Sequence, residues 1–391
     1  MTDKELKDAA WVELTKTTDS YPKWRARGFP PATGWGRAKS FLDQIGQASP
    51  PPPPGQGGKH VSSVHQQDYQ PSLMQYGKGD LFFCGEWAAK EAAAALSIPV
   101  YAYCSAVNAR DSFFTGLTPA EARNGGWGLK DSGGNELHVK GWGTTDVACD
   151  IGSAAYQQAW ANKVIAQHRD TDGAQGTFID DLAMSPHIIS GIPVKYPNQP
   201  TWRAAMESFV RAVGPKLKAA GLKVMLNTGA WYPGSPNFDN GLGSIDWATT
   251  LGPFGTSAMI ENGFQTIDGS DTIRVMGPNW NQQWDKWGAV ITAIEAAGVD
   301  YIGLAHAPGG DSPEAVYQKA SMMLYMNRPG SSCMFNCNNS GDSSPFGPKI
   351  VADLGAARGA ASLSGQTWRR NFERGHVWVN PWNQTADIVL A

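Results

Sequence analysis

The 391-residue sequence predicts an α/β fold: a (β/α)8 TIM barrel with a small N-terminal helical module joined to it by a Pro-rich linker. Three observations lead to this architecture. A proline run lies near residue 50, short β-type runs alternate with helical runs after it, and the length suits one barrel with insertions. Eight successive βα units close such a sheet into a barrel.

The N-terminal module covers residues 1–46. Its first helix is indicated by apolar residues at helical spacing: Leu6, Ala9, Ala10 and Leu14. The run GWGRAKSFLDQIG predicts a second helix that ends at Gly46. Residues 47–59, QASPPPPPGQGGK, combine a stiff polyproline rod with flexible glycines, so we expect a spacer between two units.

Residues 60–391 show the barrel pattern. The predicted strands are KHVSSVHQQ, DLFFCG, IPVYAYCSAV, GTFIDD, LKVMLNTGAW, TSAMIENGF, VDYIGLAHA and SSCMFN, of which the first is the least distinct. The helical runs between them include SAAYQQAWANKVIAQHR, TWRAAMESFVRAVGPKLKAAG and WDKWGAVITAIEAAG. An open doubly wound sheet is the rival fold, but it normally carries a glycine-rich phosphate turn after its first strand, and this sequence has none.

Composition narrows the function classes. The formal net charge is −3 and no block of Lys or Arg occurs, which argues against a nucleic-acid partner. No run of about 18 apolar residues predicts membrane insertion, and the charged N-terminus lacks the apolar core of a signal peptide, so we expect synthesis in the cytoplasm. The 16 tryptophans suit either stacking on sugar rings or filling a large core.

The cysteines and acidic residues predict no metal or other cofactor. Five cysteines in a chain of this length do not form a disulfide framework. Cys333 and Cys337 are close, but no second pair or His cluster completes a zinc site, so buried thiols are expected. The Asp180–Asp181 pair alone is a poor cage for a hard cation.

Polar residues close four successive predicted strands. In a (β/α)8 barrel the carboxyl ends of the strands surround one mouth, where the active site lies. Each residue alone has the simpler interpretation of a loop or helix-cap residue, but their shared position favours a site. These residues are Asp180 and Asp181 after TFI, Asn227 after VML, Glu261 after SAMI, and His306 after YIGLA.

Two carboxylates from different strands that face one pocket are the minimum needed to cleave a glycosidic bond. We expect Asp180 to be the nucleophile or base and Glu261 the proton donor. Neighbouring residues on a strand point to opposite faces, so Asp181 is expected to point away from the barrel axis. Substrate contacts are predicted for Asp181, Asn227, His306 and four aromatic residues, Tyr103, Trp231, Tyr232 and Trp280.

The motif order FIDD, NTG, ENG and GHVWVNPWNQTADIVL resembles barrel glycoside hydrolases and hydrolase-like proteins, among them the polygalactosaminidase-type and uncharacterised bacterial families. The resemblance spans roughly residues 95–391 and implies an Asp after the fourth strand and a Glu after a later one. In that family the last segment opens a small β-domain. Because the chain ends at Ala391, we expect only a strand or two of it here.

Residues 1–46 separately resemble a short helical module at the start of tail proteins of phages that infect actinobacteria. Together the two resemblances imply a tail-associated depolymerase that cleaves a bacterial cell-surface or cell-wall polysaccharide. The loops next to the two carboxylates look tight, which favours retention over inversion. The expected partners are that glycan and other tail proteins, in the virion. The alternatives are a non-catalytic carbohydrate-binding protein of the tail and a host enzyme for storage polysaccharide.

Overall fold

The computed structural model describes residues 63–66, 82–84, 86–112, 114–141, 143–230, 242–261, 263–267, 273–275, 277, 283–306, 310–336 and 347–391. All of them lie in one compact unit, Pro54–Ala391. The predicted helical module and its linker lie outside the described residues, and so do Trp231, Tyr232 and Trp280.

The strands alternate with helices along most of the chain. They are β1 (Ser63–Gln66), β2 (Phe82–Cys84), β3 (Val100–Ser105), β4 (Asn108–Ala109), β5 (Val147–Ala148), β6 (Gly176–Asp180), β7 (Lys223–Ala230), β8 (Ser257–Glu261), β9 (Gln265–Ile267), β10 (Ile273–Val275), β11 (Asp300–His306), β12 (Ser332–Asn336), β13 (Ser362–Ser364), β14 (Thr367–Phe372), β15 (Gly375–Asn380) and β16 (Thr385–Leu390).

The helices lie between these strands. They are α1 (Glu86–Ala95), α2 (Pro119–Asn124), α3 (Ala154–Val164), α4 (Gln199–Ala219), α5 (Leu242–Leu251), α6 (Gln283–Ala296) and α7 (Pro313–Tyr325). A π-helical segment, Ile165–Thr171, continues α3, and short 3-10 turns cover Pro186–Ile188 and Gly252–Phe254. Among the described helices, none combines the length and the apolar character that crossing a membrane requires.

Eight parallel strands form a closed barrel in the order β1-β12-β11-β8-β7-β6-β3-β2. The barrel closes because β1 pairs with both β2 and β12. Each of the eight strands predicted from the sequence is present, including the indistinct first one, so the (β/α)8 fold is confirmed. The register is regular except in β7, where pairing with β8 shifts between Asn227 and Ala230.

The barrel interior is apolar below its mouth. Its buried cluster contains one or two side chains from each of six strands: Tyr101, Phe178, Met225, Met259, Ile302, Leu304 and Met334. Side chains two residues apart on a strand share a face. Residues two positions beyond these on the same strands therefore lie one layer closer to the carboxyl ends of the strands, on the same inner face.

The described tryptophans that are fully buried fill the core between the barrel and its helices. They are Trp160, Trp202, Trp247 and Trp284. The composition left open whether the tryptophans stack on sugar rings or fill the core. These four side chains fill the core, because a sugar ring has no access to them. The described cysteines Cys104, Cys149 and Cys333 are buried free thiols, as expected.

The C-terminal β segment is larger than the strand or two expected from the sequence. It is a four-stranded antiparallel sheet in the order β13-β14-β15-β16, and it begins before the motif that predicted it. The sheet packs on α7 and shares one apolar core with it. Arg370 of β14 is buried and donates hydrogen bonds to the carbonyls of Met323, Leu324 and Met326, where α7 ends.

Candidate active site

Asn227 connects two carboxylates at the barrel mouth. Its Nδ2 donates to Asp180 Oδ1 and to Glu261 Oε1, both at 2.7 Å. Since both oxygen atoms lie 2.7 Å from one nitrogen atom, they are at most 5.4 Å apart. The amide carries two N–H groups, so one can serve each carboxylate. Asp180, Asn227 and Glu261, all predicted from their positions at strand ends, are thus linked by hydrogen bonds at the barrel mouth.

Strand alternation explains why these three residues converge. Asp180 and Glu261 end β6 and β8, and Asn227 lies on β7 between them. Each stands two residues after an interior side chain of the barrel, so all three side chains belong to the inner face. Three adjacent parallel strands bring their carboxyl ends to the same edge, which is where barrel active sites are built.

Strand alternation predicted that Asp181 points away from the barrel axis, and this prediction was wrong. The strand ends at Asp180, and Asp181 has a φ of 62°, in the left-handed region that non-glycine residues seldom adopt. Its Oδ2 accepts a 2.6 Å hydrogen bond from Ser105 Oγ. Ser105 ends β3, two residues after Tyr103 on the inner face. The left-handed turn therefore adds a third carboxyl group to the site.

Tyr103 contacts a carboxylate directly. Its hydroxyl donates to Asp180 Oδ2 at 3.1 Å, and its ring packs beside Phe178, with 6.0 Å between the centroids. Burial raises the pKa of Tyr103 well above its ordinary value, and the negative charges of Asp180 and Asp181 add to the rise. The phenol therefore keeps its proton and remains a donor. It was predicted as a sugar-contacting aromatic residue.

The three carboxyl groups hold protons more tightly than usual. Burial raises the pKa of Glu261 to about 7, and the charge of Asp180 adds to that rise. Burial and the same charge raise the pKa of Asp181 to about 8. Burial also raises the pKa of Asp180, but hydrogen bonds from the Asp181 backbone, Asn227 and Tyr103 oppose the rise. Asp180 is thus the best stabilised carboxylate of the three.

The remaining predicted residues are less completely described. His306 is the last residue of β11, and its backbone pairs with Asn336 of β12. Ser105 was missed, although its position at the end of a predicted strand was the available signal. In the described part of the chain, no group of three or more His, Cys, Asp or Glu residues has an arrangement that would hold a metal ion.

Comparisons with known proteins come from a family model and from solved structures. The glycoside hydrolase domain of PelA from Pseudomonas aeruginosa is 16% identical, with a TM-score of 0.44, over 72% of this chain and 95% of that chain. An α-amylase from Lactobacillus plantarum is 8% identical, with a TM-score of 0.45, over 82% and 88%. The catalytic domain of a β-amylase from Paenibacillus polymyxa is also 8% identical, with a TM-score of 0.43, over 74% and 96%.

A comparison with curated protein sequences gives no match. The family model described as "Hypothetical glycosyl hydrolase family 15" matches residues 97–376, which is more than half of the chain and includes every residue of the candidate site described above. The chain therefore belongs to the hypothetical glycosyl hydrolase family 15.

Proposed function

We propose that the protein is a glycoside hydrolase that cleaves a bacterial surface or cell-wall polysaccharide with Asp180 as nucleophile and Glu261 as general acid and base. One observation carries this proposal: the two carboxyl groups share the amide of Asn227 at the barrel mouth. Paired carboxyl groups with different proton affinities are the apparatus that glycoside hydrolysis needs.

The protonation states favour this assignment of roles. Burial raises the pKa of Asp180, and three hydrogen bonds oppose that rise and favour its ionised form. Glu261, with a pKa of about 7, retains a proton at mildly acidic pH. An ionised carboxylate can attack the anomeric carbon, and a protonated one can release its proton to the leaving oxygen.

In the first step, an Asp180 oxygen bonds to the anomeric carbon while the glycosidic C–O bond breaks. Glu261 gives its proton to the departing oxygen, which leaves as a hydroxyl of the shortened glycan. In the second step, Glu261 accepts a proton from water, and the resulting oxygen displaces Asp180 from the anomeric carbon. The nearest oxygen atoms of the two carboxyl groups are at most 5.4 Å apart, which is compatible with the separation of about 5–5.5 Å that retaining pairs use.

Tyr103 and Asn227 orient the nucleophile. The phenol donates to one Asp180 oxygen atom and the amide donates to the other, so the carboxylate plane is fixed by two contacts from neighbouring strands. Both donors also lower the pKa of Asp180 against the rise that burial causes, which favours the ionised nucleophile. The second hydrogen bond from Asn227 Nδ2 holds the acid, Glu261, next to the nucleophile.

The tail-associated role rests on the resemblance of residues 1–46 to phage tail modules and on the proline-rich spacer after them. In this proposal the module attaches the enzyme to other tail proteins in the virion, and the barrel clears surface glycan ahead of the membrane. Deletion of residues 1–58 should remove assembly into virions but leave hydrolysis and melting temperature unchanged. A large loss of melting temperature would contradict the separation of the two units.

The direct test incubates the purified protein with cell-wall glycans from several actinobacteria and analyses the released oligosaccharides by mass spectrometry. Proton NMR of the first product formed gives the anomeric configuration, which retention would leave unchanged. Binding of glycan without release of oligosaccharide by the wild-type protein would instead support the non-catalytic carbohydrate-binding alternative.

A further inference from the structure

Two buried indoles hold the backbone directly after the catalytic strand β6. Trp247 of α5 donates its Nε1–H to the carbonyl of Leu182 at 2.7 Å. Trp202 of α4 donates its Nε1–H to the carbonyl of Ala183 at 2.9 Å. Both tryptophans have no solvent exposure. The peptide groups that follow Leu182 and Ala183 are therefore held by helices that pack outside the barrel.

A third indole acts on the neighbouring strand. Trp160 of α3 donates to the carbonyl of Ser105 at 2.9 Å, and the Ser105 hydroxyl bonds to Asp181 Oδ2. Gly116 makes room for this contact, because a Cβ at that position would lie 2.2 Å from Trp160 Nε1. We call Trp160, Trp202 and Trp247 the indole clamp. Its members come from three successive helices and meet at the ends of two adjacent strands.

The backbone of Asp181, next to these contacts, is strained. A non-glycine residue at a φ of 62° costs on the order of 1 kcal/mol and persists only where its surroundings enforce it. The same turn directs the backbone N–H of Asp181 to the Asp180 carboxylate. A relaxation at Asp181 would therefore remove a hydrogen bond from Asp180.

We propose that Trp202 and Trp247, assisted by Trp160, are positioning residues that hold the left-handed turn at Asp181 and thereby orient the Asp180 carboxylate. This role rests on the proposed function, because it assigns the clamp to the nucleophile of that reaction. It also explains why tryptophan, rather than phenylalanine, occupies these core positions, since only the indole supplies an N–H donor for a buried carbonyl.

The test replaces tryptophan by phenylalanine, which keeps an aromatic ring and removes the donor. The variants are Trp202→Phe and Trp247→Phe. The matched control is Trp284→Phe, since Trp284 is equally buried and donates to Ser321 of α7, away from the β6 and β3 ends. We expect kcat to fall by about 10- to 100-fold in the two clamp variants, with KM within about two-fold, because small displacements of a reacting group are costly.

The pH profile separates positioning from simple loss of stability. If the clamp variants weaken the Asp181 bond to Asp180, the acidic limb of kcat/KM moves to higher pH, since Asp180 then binds its proton more tightly. The control should keep the wild-type profile. Equal kcat values and equal profiles in Trp247→Phe, Trp202→Phe and Trp284→Phe would overturn the proposal.

A double-mutant cycle tests the clamp without any substrate. Glycine adopts a positive φ freely, so in an Asp181→Gly background the clamp has no strain to oppose. We expect Trp247→Phe to lower the melting temperature less in the wild type than in that background, because loss of the donor also releases strain only where Asp181 is present, whereas Trp284→Phe should lower it equally in both. Equal losses for Trp247→Phe would refute the clamp. A wild-type protein without glycosidase activity would refute the proposed function and leave the cycle interpretable.

Discussion

The nearest oxygen atoms of Asp180 and Glu261 are no more than 5.4 Å apart, because both accept a hydrogen bond from the same nitrogen atom of Asn227. This relationship joins two carboxyl groups from different strands through one amide nitrogen. The order of the strands makes this possible, because Asn227 lies on β7 between β6, which carries Asp180, and β8, which carries Glu261.

We expect Asp180→Asn and Glu261→Gln each to abolish most turnover without unfolding the barrel. The amides are nearly isosteric with the acids, so the site keeps its shape. Loss of a general acid costs about 10²–10⁴-fold, and loss of a nucleophile costs more. Initial rates of oligosaccharide release measure the effect. Asp170→Asn is the control, because Asp170 is an exposed carboxylate paired with Arg169; wild-type rates in both site variants would contradict the assignment.

The pH dependence of kcat/KM should be bell-shaped. Glu261 must be protonated to act as the acid, so activity should fall as the pH rises through about 7. Asp180 must be ionised, so activity should fall again at low pH as its carboxylate gains a proton. In Glu261→Gln the alkaline limb should be absent from the residual activity. A wild-type rate that stays constant from pH 6 to pH 9 would exclude Glu261 as the acid.

Tyr103→Phe removes the hydroxyl that donates to Asp180 Oδ2. We expect kcat to fall by about 10-fold, in line with the loss of one hydrogen bond to a charged group, and the acidic limb to move to higher pH. Tyr101→Phe is the matched control two residues earlier on β3, where the hydroxyl bonds to Thr256. Equal rates for the two variants would show that the Tyr103 phenol does not assist Asp180.

Asp181→Asn should stabilise the protein at alkaline pH. Folding raises the pKa of Asp181 from 3.8 to about 8, so the folded state resists ionisation of this carboxyl. The free-energy cost of ionising Asp181 in the folded state is absent below pH 4, grows between the unfolded and the folded pKa, and is complete above pH 8. We expect a gain of about 1–3 kcal/mol at pH 8 that vanishes toward pH 4. Chemical denaturation at both pH values measures it, and a pH-independent difference would contradict this account.

The C-terminal sheet should behave as part of the barrel. Arg370→Met leaves three buried carbonyls at the end of α7 without their donor, and we expect a loss of about 3 kcal/mol or more. Arg369→Met is the matched control, because Arg369 is the exposed neighbour on the same strand. Denaturant midpoints distinguish the two variants. Similar midpoints would show that the sheet contributes little to barrel stability.

Much of the fold follows from local patterns. Short β-branched and aromatic runs between amphipathic helices predicted all eight barrel strands, because burial on both faces of a parallel sheet selects such runs. The same reasoning identified Asp180, Asn227 and Glu261, since parallel strands bring their carboxyl ends to one edge. Ser105 was missed because a serine at a strand end is also a common turn residue.

The amino-acid sequence by itself determined the order of strands and the carboxylates that close β6 and β8, because both depend on local periodicity. Only the tertiary structure decided the direction of Asp181, the contact of Tyr103 with Asp180 and the use of the buried indoles. Alternation predicted an outward Asp181, but the strand stops one residue earlier, and a backbone held by Trp202, Trp247 and Ser105 overrides the local rule. Those contacts join residues from different helices and strands, so no local pattern in the chain encodes them.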